Sequence, residues 1–364
     1  MGHHFSSIRI CIIACFLTLL FGCKNHENTV KESTLVFEKE KAISLSETDF
    51  FKNKLIIPLE TVDNSLVNRN PAIKKDKENI FIYSQYSHYP VLRFDINGSF
   101  LNQIGSVGNG PNEYTEVEGI VINETESSIE VLSRQSILSF TYDGSFIKRE
   151  KIEFPAFSFT KVNNYYWFCV GNNRGYSEHR VLQTDLNFNI TNRYLADNSD
   201  LWPISESNFQ QSPYHTFRET FFNKIYRIEN DTLCLSYDVK VPDLELPSEV
   251  HKVPLMEMGD YLKQHSYATI LHYLENDTYT YMMITEYNNN RAASTYHWII
   301  NKTNGKNIII KPEQLIEGAY LFSPQVLTED DSLYFLGYLI EKEDDSADFD
   351  LNPSIVVVNL ASIK

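Results

Sequence analysis

The chain has 364 residues and carries 32 lysines and arginines against 48 aspartates and glutamates, a net charge of −16 at pH 7. So acidic a surface repels DNA, RNA and anionic headgroups, which excludes nucleic acid as a partner. With 22 tyrosines, 23 phenylalanines and many Ile and Val, the composition is that of strands.

The first elements set the compartment. Arg9 is the only Lys, Arg, Asp or Glu before an apolar run from Cys11 to Gly22, and Cys23 follows directly. This reads as a signal peptide over residues 1–22, because a run of about 12 apolar residues is too short to span a bilayer. Leu20-Phe21-Gly22-Cys23 resembles a lipobox, although Phe21 is bulkier than the residue usual there. The expectation is that Cys23 becomes the lipid-bearing N-terminus, with 23–32 as linker and the membrane as a partner through that lipid. Removal of residues 1–22 leaves a charge of −17 on the remaining chain. Cys169 and Cys234 then lie in apolar strand-like runs, where a thiol behaves as a small buried hydrophobe.

Two strand-like segments, 33–45 and 54–62, precede the first of two repeats. The first repeat is a hairpin. VLRFDINGSFLNQI (91–104) and ILSFTYDGSFIKRE (137–150) align without a gap, with Asn97-Gly98 on Asp143-Gly144. Asn304-Gly305 repeats the theme, and residues 181–195 hold a degenerate copy without the glycine. Such dipeptides between alternating apolar residues predict type I′ hairpins. The second repeat is a polar turn feeding an apolar strand, at Lys77, Glu126, Asn163, Asn230, Asn276 and Asp330. Its period-two alternation predicts strands with one face inward.

Six copies, each adding about four strands in roughly 45 residues, predict an all-β fold over 33–364. That fold is a six-bladed β-propeller of four-stranded antiparallel blades. Pairing the N-terminal strands into the last blade would close the ring and remove open edges. Two irregular stretches interrupt the repeats: 198–220, rich in Ser, Asn, Gln and Pro, and 247–270, where apolar spacing predicts a short helix over 254–264. The acidic stretch 341–350 reads as a solvated turn.

The glycine run IGSVGNGPNEYTEVEGI (104–120) resembles a phosphate loop only superficially. Gly105, Gly108 and Gly110 are followed by Pro111 rather than Lys-Ser/Thr, and Glu113, Glu116 and Glu118 stand where a phosphate needs positive potential. It reads as a bend between blades. A glycine-rich run ending in Gly-Pro-x-Glu-Tyr is similar to the hallmark of the six-bladed β-propeller lipoproteins of Bacteroidota, relatives of NHL-repeat propellers. Here it is Gly108-Asn109-Gly110-Pro111-Asn112-Glu113-Tyr114, with Asn112 where that family commonly has glycine. The block 221–247 is also similar, so the likeness covers roughly 35–360. It implies a fold and a cell-envelope location at the outer membrane, and no particular reaction.

Propeller ligands bind where loops of several blades meet, so no linear motif marks them. Trp202, Tyr214 and Phe217, with His215 and Arg218 as polar partners, are the candidate surface for a glycan, peptide or envelope protein. Their competing role is to tuck the long loop onto the ring. There is no Gly-x-Ser-x-Gly elbow, so a catalytic set cannot be picked out, and without metal-ligand spacing neither a metal nor a cofactor is expected. Function is thus read as a binding module. The alternative is an envelope hydrolase or lyase with a metal or acid–base site in the propeller channel. Asp231-Thr232-Leu233 and Asp331-Ser332-Leu333 also resemble short O-glycosylation sites.

Overall fold

The computed structural model describes residues 33–68, 71–171, 177–196, 208–219, 221–311, 320–338 and 351–363. The signal-like segment, Cys23, Trp202 and the acidic stretch 341–350 lie outside these residues. Three short strands come first: β1 (Ser33–Val36), β2 (Ile43–Ser44) and β3 (Leu55–Pro58). Blades one to three are complete antiparallel meanders. They comprise β4 (Pro71–Lys75), β5 (Asn79–Ser84), β6 (Val91–Asp95) and β7 (Phe100–Ile104); β8 (Gly119–Asn123), β9 (Ser128–Ser133), β10 (Ser136–Thr141) and β11 (Phe146–Lys151); and β12 (Ser158–Val162), β13 (Tyr165–Cys169), β14 (His179–Thr184) and β15 (Ile190–Ala196).

The next three blades borrow from the N-terminus. Blade four is β16 (Thr216–Arg218), β17 (Lys224–Glu229) and β18 (Thr232–Lys240), with β1 added in parallel outside. The helix α1 (Leu255–Lys263) lies between blades four and five, where the apolar spacing predicts one. Blade five is β19 (Tyr267–Glu275), β20 (Tyr279–Asn288), β21 (Arg291–Asn301) and β22 (Asn307–Lys311), with β2 as a fifth, parallel strand. Blade six is β23 (Tyr320–Leu327), β24 (Ser332–Tyr338) and β25 (Ser354–Asn359), closed by β3 in antiparallel register. The protein is a six-bladed β-propeller. Only β3 enters the last blade; β1 and β2 go to blades four and five, so the N-terminal segment overlaps half the ring.

The core is not one mass but a set of seams between neighbouring blades. Phe81, Ile120 and Phe140 meet between blades one and two, and Ile137, Phe159 and Phe168 between two and three. The N-terminal segment drives a side chain into each seam it passes. Phe37 enters between blades four and five, edge-on to Tyr296 at 5.3 Å. Phe50 and Phe51 enter between five and six, and Ile57 and Leu59 between six and one. Seam packing also corrects the one-face expectation: all six residues of β5 and all six of β9 are buried. Each blade has a neighbour on both faces, so these second strands are shielded on both sides.

The hairpins fall where the repeats place them, but they are not type I′. Gly98 has φ +90°, Asn97 is not left-handed, and the bonds Gly98 N–H to Asp95 O and Asp95 N–H to Ser99 O close a type I turn with a glycine bulge. Asp95 Oδ1 accepts from the N–H of Asn97 and of Ser99. A Cβ at Gly98 would lie 2.2 Å from Pro58 O, so the hairpin docks on β3 of the preceding blade. Gly144 of blade two stands in the same relation to Gln103 O. Cys169 and Cys234 are both unbridged thiols.

Candidate functional site

The glycine run is a knot-like bend, as the sequence suggests. Gly108 N–H bonds Tyr114 O at 2.9 Å, and Glu113 folds back so that its carboxylate accepts from Gly110 N–H at 2.8 Å. A Cβ at Gly108 would meet that carboxylate at 2.0 Å, which explains the glycine there. Tyr114, wholly buried, donates to Ile104 O at 2.7 Å and accepts from Val91 N–H at 2.9 Å. Gly105 packs on Phe140, and Pro111 lies on the loop's exposed side. The loop's carboxylate is spent on its own backbone.

The first strands of neighbouring blades ring the axis, with β4 against β8, β8 against β12, and β23 against β19 and β4. We call the end at which they begin the upper end. Through this ring passes the second half of the long insert. Asn208 bonds the backbone of Arg218 in both directions, and Ser158 Oγ lies 3.5 Å from its Oδ1. Gln210 then bridges Tyr273 N and Pro324 O, both at 3.0 Å. Gln211 clamps Lys75, accepting from its N–H at 2.7 Å and donating to its carbonyl at 2.5 Å. At the lower end the segment reverses, and β16 climbs back along blade four. Residues 208–218 thus fill the channel with amide side chains that satisfy the inner strands of five blades.

The candidate residues of the insert separate. Tyr214 turns at the lower end, donating to Asp277 at 2.8 Å, with the cations of Arg227 and Lys302 at 4.3 and 4.8 Å from its ring centroid. Both cations are held by the fully buried carboxylate of Glu275, which also accepts from Tyr273 Oη at 2.6 Å. Phe217 is wholly buried against Phe209, between blades three and four. Arg218 is buried, its Nη1 donating to Ile270 O at 2.8 Å. His215 alone is solvent-exposed, yet surrounding atoms and the charge of Lys74 hold its pKa below the ordinary value. Tyr214 and Phe217 therefore tie the loop to the ring. Of the hydroxyls in the two stretches that resemble O-glycosylation sites, that of Thr232 is on an exposed residue, whereas Ser332 is buried and donates to Asp330.

The upper end carries a second group. Just beyond the second strand of blades one, two and three the chain turns through a left-handed residue: Tyr86 (φ +56°), Arg134 (φ +54°) and Gly171 (φ +55°). For a tyrosine or an arginine this is strained backbone. Tyr86 and Tyr89 are 43% and 46% exposed, and Arg134 Nε pairs with Glu116 at 2.9 Å. Beneath them Glu118 is buried. Its Oε1 accepts from Arg134 N–H at 2.8 Å, while Oε2 has no hydrogen-bond partner. Burial, then the charge of Glu116, pushes its pKa up to about 8 against the bond from Arg134 N–H. Gln85 Nε2 donates to Glu118 O and Phe157 O, both at 2.7 Å, and its Oε1 is likewise buried without a donor. Repeat alignment alone does not reveal this group, because it is assembled from three blades.

A family profile described as a domain of unknown function, DUF4934, matches residues 29–357. The chain belongs to that family. No curated protein matches it. A Bacteroides fragilis protein described as exported has the same fold, with a TM-score of 0.71, 16% identity, and coverage of 90% of this chain and 99% of that one. BamB from Moraxella catarrhalis gives a TM-score of 0.44 at 10% identity, covering 84% and 100%. The extracellular domain of a Bacteroides thetaiotaomicron hybrid two-component system gives 0.44 at 10% identity, covering 83% and 39%.

Proposed function

We propose that this DUF4934 propeller is a lipid-anchored envelope protein, held at the outer membrane through Cys23, that works as a recognition module. Its upper end takes a glycan, a peptide or a segment of a partner protein. The observation that carries this reading is the pair of strained, exposed residues Tyr86 and Arg134 above two buried oxygens, Gln85 Oε1 and Glu118 Oε2, that have no hydrogen-bond partner. Strained backbone persists where the surroundings enforce it, and such residues cluster at ligand sites. Aromatic rings beside an ion pair suit a hydroxyl- or amide-rich ligand. Glu118 is protonated at neutral pH, as an acid catalyst would be, but its Oε2 is sealed from solvent. A supporting role under a binding face suits it better than catalysis.

The test is a thermal-shift and calorimetric screen of residues 24–364 against polysaccharide fragments and peptides, because a ligand of the folded state raises Tm by mass action. Any hit should weaken about tenfold or more in Tyr86→Ala and Arg134→Ala and be unaffected in Tyr165→Ala. Binding that ignores both upper-end variants would overturn the placement. Membrane fractionation of Cys23→Ser in cells tests the anchor separately.

A further inference from the structure

A cavity opens at the upper end of blade five, beside the helix. Its volume is about 430 Å³, and Lys263, Asn288, Asn289 and Arg291 line it. That volume falls within the range of small-ligand sites, roughly 300–1,000 Å³. One wall is the last turn of α1, which carries Lys263. The other is the tip of the hairpin joining β20 to β21. Asn288 pairs with Arg291 across the tip, and the two residues between them, Asn289 and Asn290, are left-handed at φ +50° and +55°. This is a tight type I′ turn built from asparagine, which tolerates such backbone better than most side chains do.

Both walls are fixed from below. Tyr267, buried, donates to Asn290 Oδ1 at 3.1 Å and stacks on Tyr287 with ring centroids 4.9 Å apart. Met258 and Leu262 of α1 pack into the same cluster as Tyr267. The lining side chains, by contrast, belong to exposed residues. Among the described residues Arg291 has no ion-pair partner, and the carboxamides of Asn288 and Asn289 make no hydrogen bond. Lys263 pairs with Asp260 at 2.7 Å, but the two side chains are 60% and 79% exposed. Such a pair contributes little and leaves Lys263 able to turn to a ligand. In a chain of charge −16, a cavity whose described lining holds two cations and no carboxylate is a local reversal of sign.

The donor set selects the ligand's chemistry. A guanidinium and an ammonium only donate, and together they suit a carboxylate. A carboxamide both donates and accepts, which matches a hydroxyl. The cavity also lies across the ends of two interior strands of the blade, whereas an extended peptide pairs along a free sheet edge. We propose that this cavity binds a carboxylate-bearing sugar, a uronic acid unit of an acidic polysaccharide. Arg291 and Lys263 hold the carboxylate, and Asn288 and Asn289 hold the neighbouring hydroxyls. The site shares the upper end with Tyr86 and Arg134 but does not depend on them.

The experiment is a calorimetric titration of the purified protein with galacturonate, alginate and hyaluronate oligosaccharides. Parallel arms use the neutral methyl ester of the galacturonate series and a glutamate-rich peptide. At least one uronate series should bind. Its affinity should fall about tenfold in Arg291→Gln, the loss expected for one charge-assisted bond, and further when Lys263→Gln is added. Lys148→Gln, which removes an exposed cation from β11, should bind as wild type does. All three positions are exposed, so an unchanged Tm verifies that each variant folds. The proposal fails if no uronate binds, if ester and acid bind alike, or if Arg291→Gln leaves the affinity unchanged. Tighter binding of the peptide than of every uronate would also overturn it and assign the cavity to an acidic protein segment. Uronate binding that Tyr86→Ala weakens and Arg291→Gln does not would move the ligand to blades one and two, sinking this proposal and keeping the earlier reading.

Discussion

Glu118 is the residue at which burial and chemistry conflict most. Its folded pKa of about 8 lies above the ordinary carboxylate value of 4.5, so the folded state keeps a proton that the unfolded chain has lost between those limits. The sign follows: the contribution to stability is full below about pH 4.5 and declines as pH rises through 8. Glu116 and Arg134 are the charges that face it, and the bond from Arg134 N–H only partly offsets burial. Glu118→Gln keeps the shape and cannot ionise. Urea unfolding should therefore find wild type losing stability on the order of 2 kcal/mol relative to the variant between pH 5 and 8. Parallel pH profiles would show that the group ionises freely in the folded protein. Phe188 shows the opposite kind of residue-scale strain. It occupies the left-handed corner that Gly98 fills in blade one, with φ +64° and the same bond back to an aspartate carbonyl. Its ring lies 5.0 Å from that of Tyr166, so packing offsets the backbone cost.

Among elements, the hairpin at Gly98 does more than reverse the chain. Its backbone presses against Pro58 O of β3, so alanine there meets both a left-handed backbone and a contact at 2.2 Å. Gly305 offers a control, with φ +72° and open space within 4 Å of where an added methyl group would sit. Gly305→Ala should cost about 1 kcal/mol, the backbone part alone, and Gly98→Ala roughly 2–4 kcal/mol. Equal costs in denaturant titrations would mean that the docking contributes nothing. The positions of these hairpins were legible because alternating apolar residues around Asn-Gly or Asp-Gly form a local signal. The turn type was not, since both kinds of turn accept the dipeptide and the choice falls to the aspartate side chain and the neighbouring blade. The second strands were legible as strands but not as doubly buried ones, because period-two patterning cannot show a blade on the far side. The filling of the channel was illegible for a plainer reason. Asn208, Gln210 and Gln211 carry no periodicity, and their partners lie as far as 136 residues away. The insert stood out in the sequence by its composition, but the packing of Tyr214 and Phe217 on the ring did not, and the upper-end group arises only when three blades meet.

For the whole molecule the weak point of any ring is where its ends join, and here the join is spread over three blades. β3 supplies antiparallel pairing to β25, while Phe37, Phe50 and Phe51 reinforce the seams before it. The sequence made N-terminal closure legible through two strand-like segments before the first repeat. It did not reveal the spread, because parallel pairing of β1 with β18 leaves no sequence pattern that a lone outer strand would lack. If seams act as separate cores, losses should be graded. A chain begun at Leu45 lacks β1, β2 and Phe37 but keeps β3, so the ring still closes. Losing a buried Phe alone costs about 3–5 kcal/mol, and β18 is left with an open edge. That chain should fold with a lower Tm and self-associate at high concentration. A chain begun at Glu60 also loses Phe50, Phe51, Ile57 and the fourth strand of blade six, and should show no cooperative melt. Light scattering and calorimetry on the two truncations decide the matter. If the Glu60 chain melts as sharply as the Leu45 chain, β3 does not close the ring energetically, and the contacts between inner strands must hold it instead.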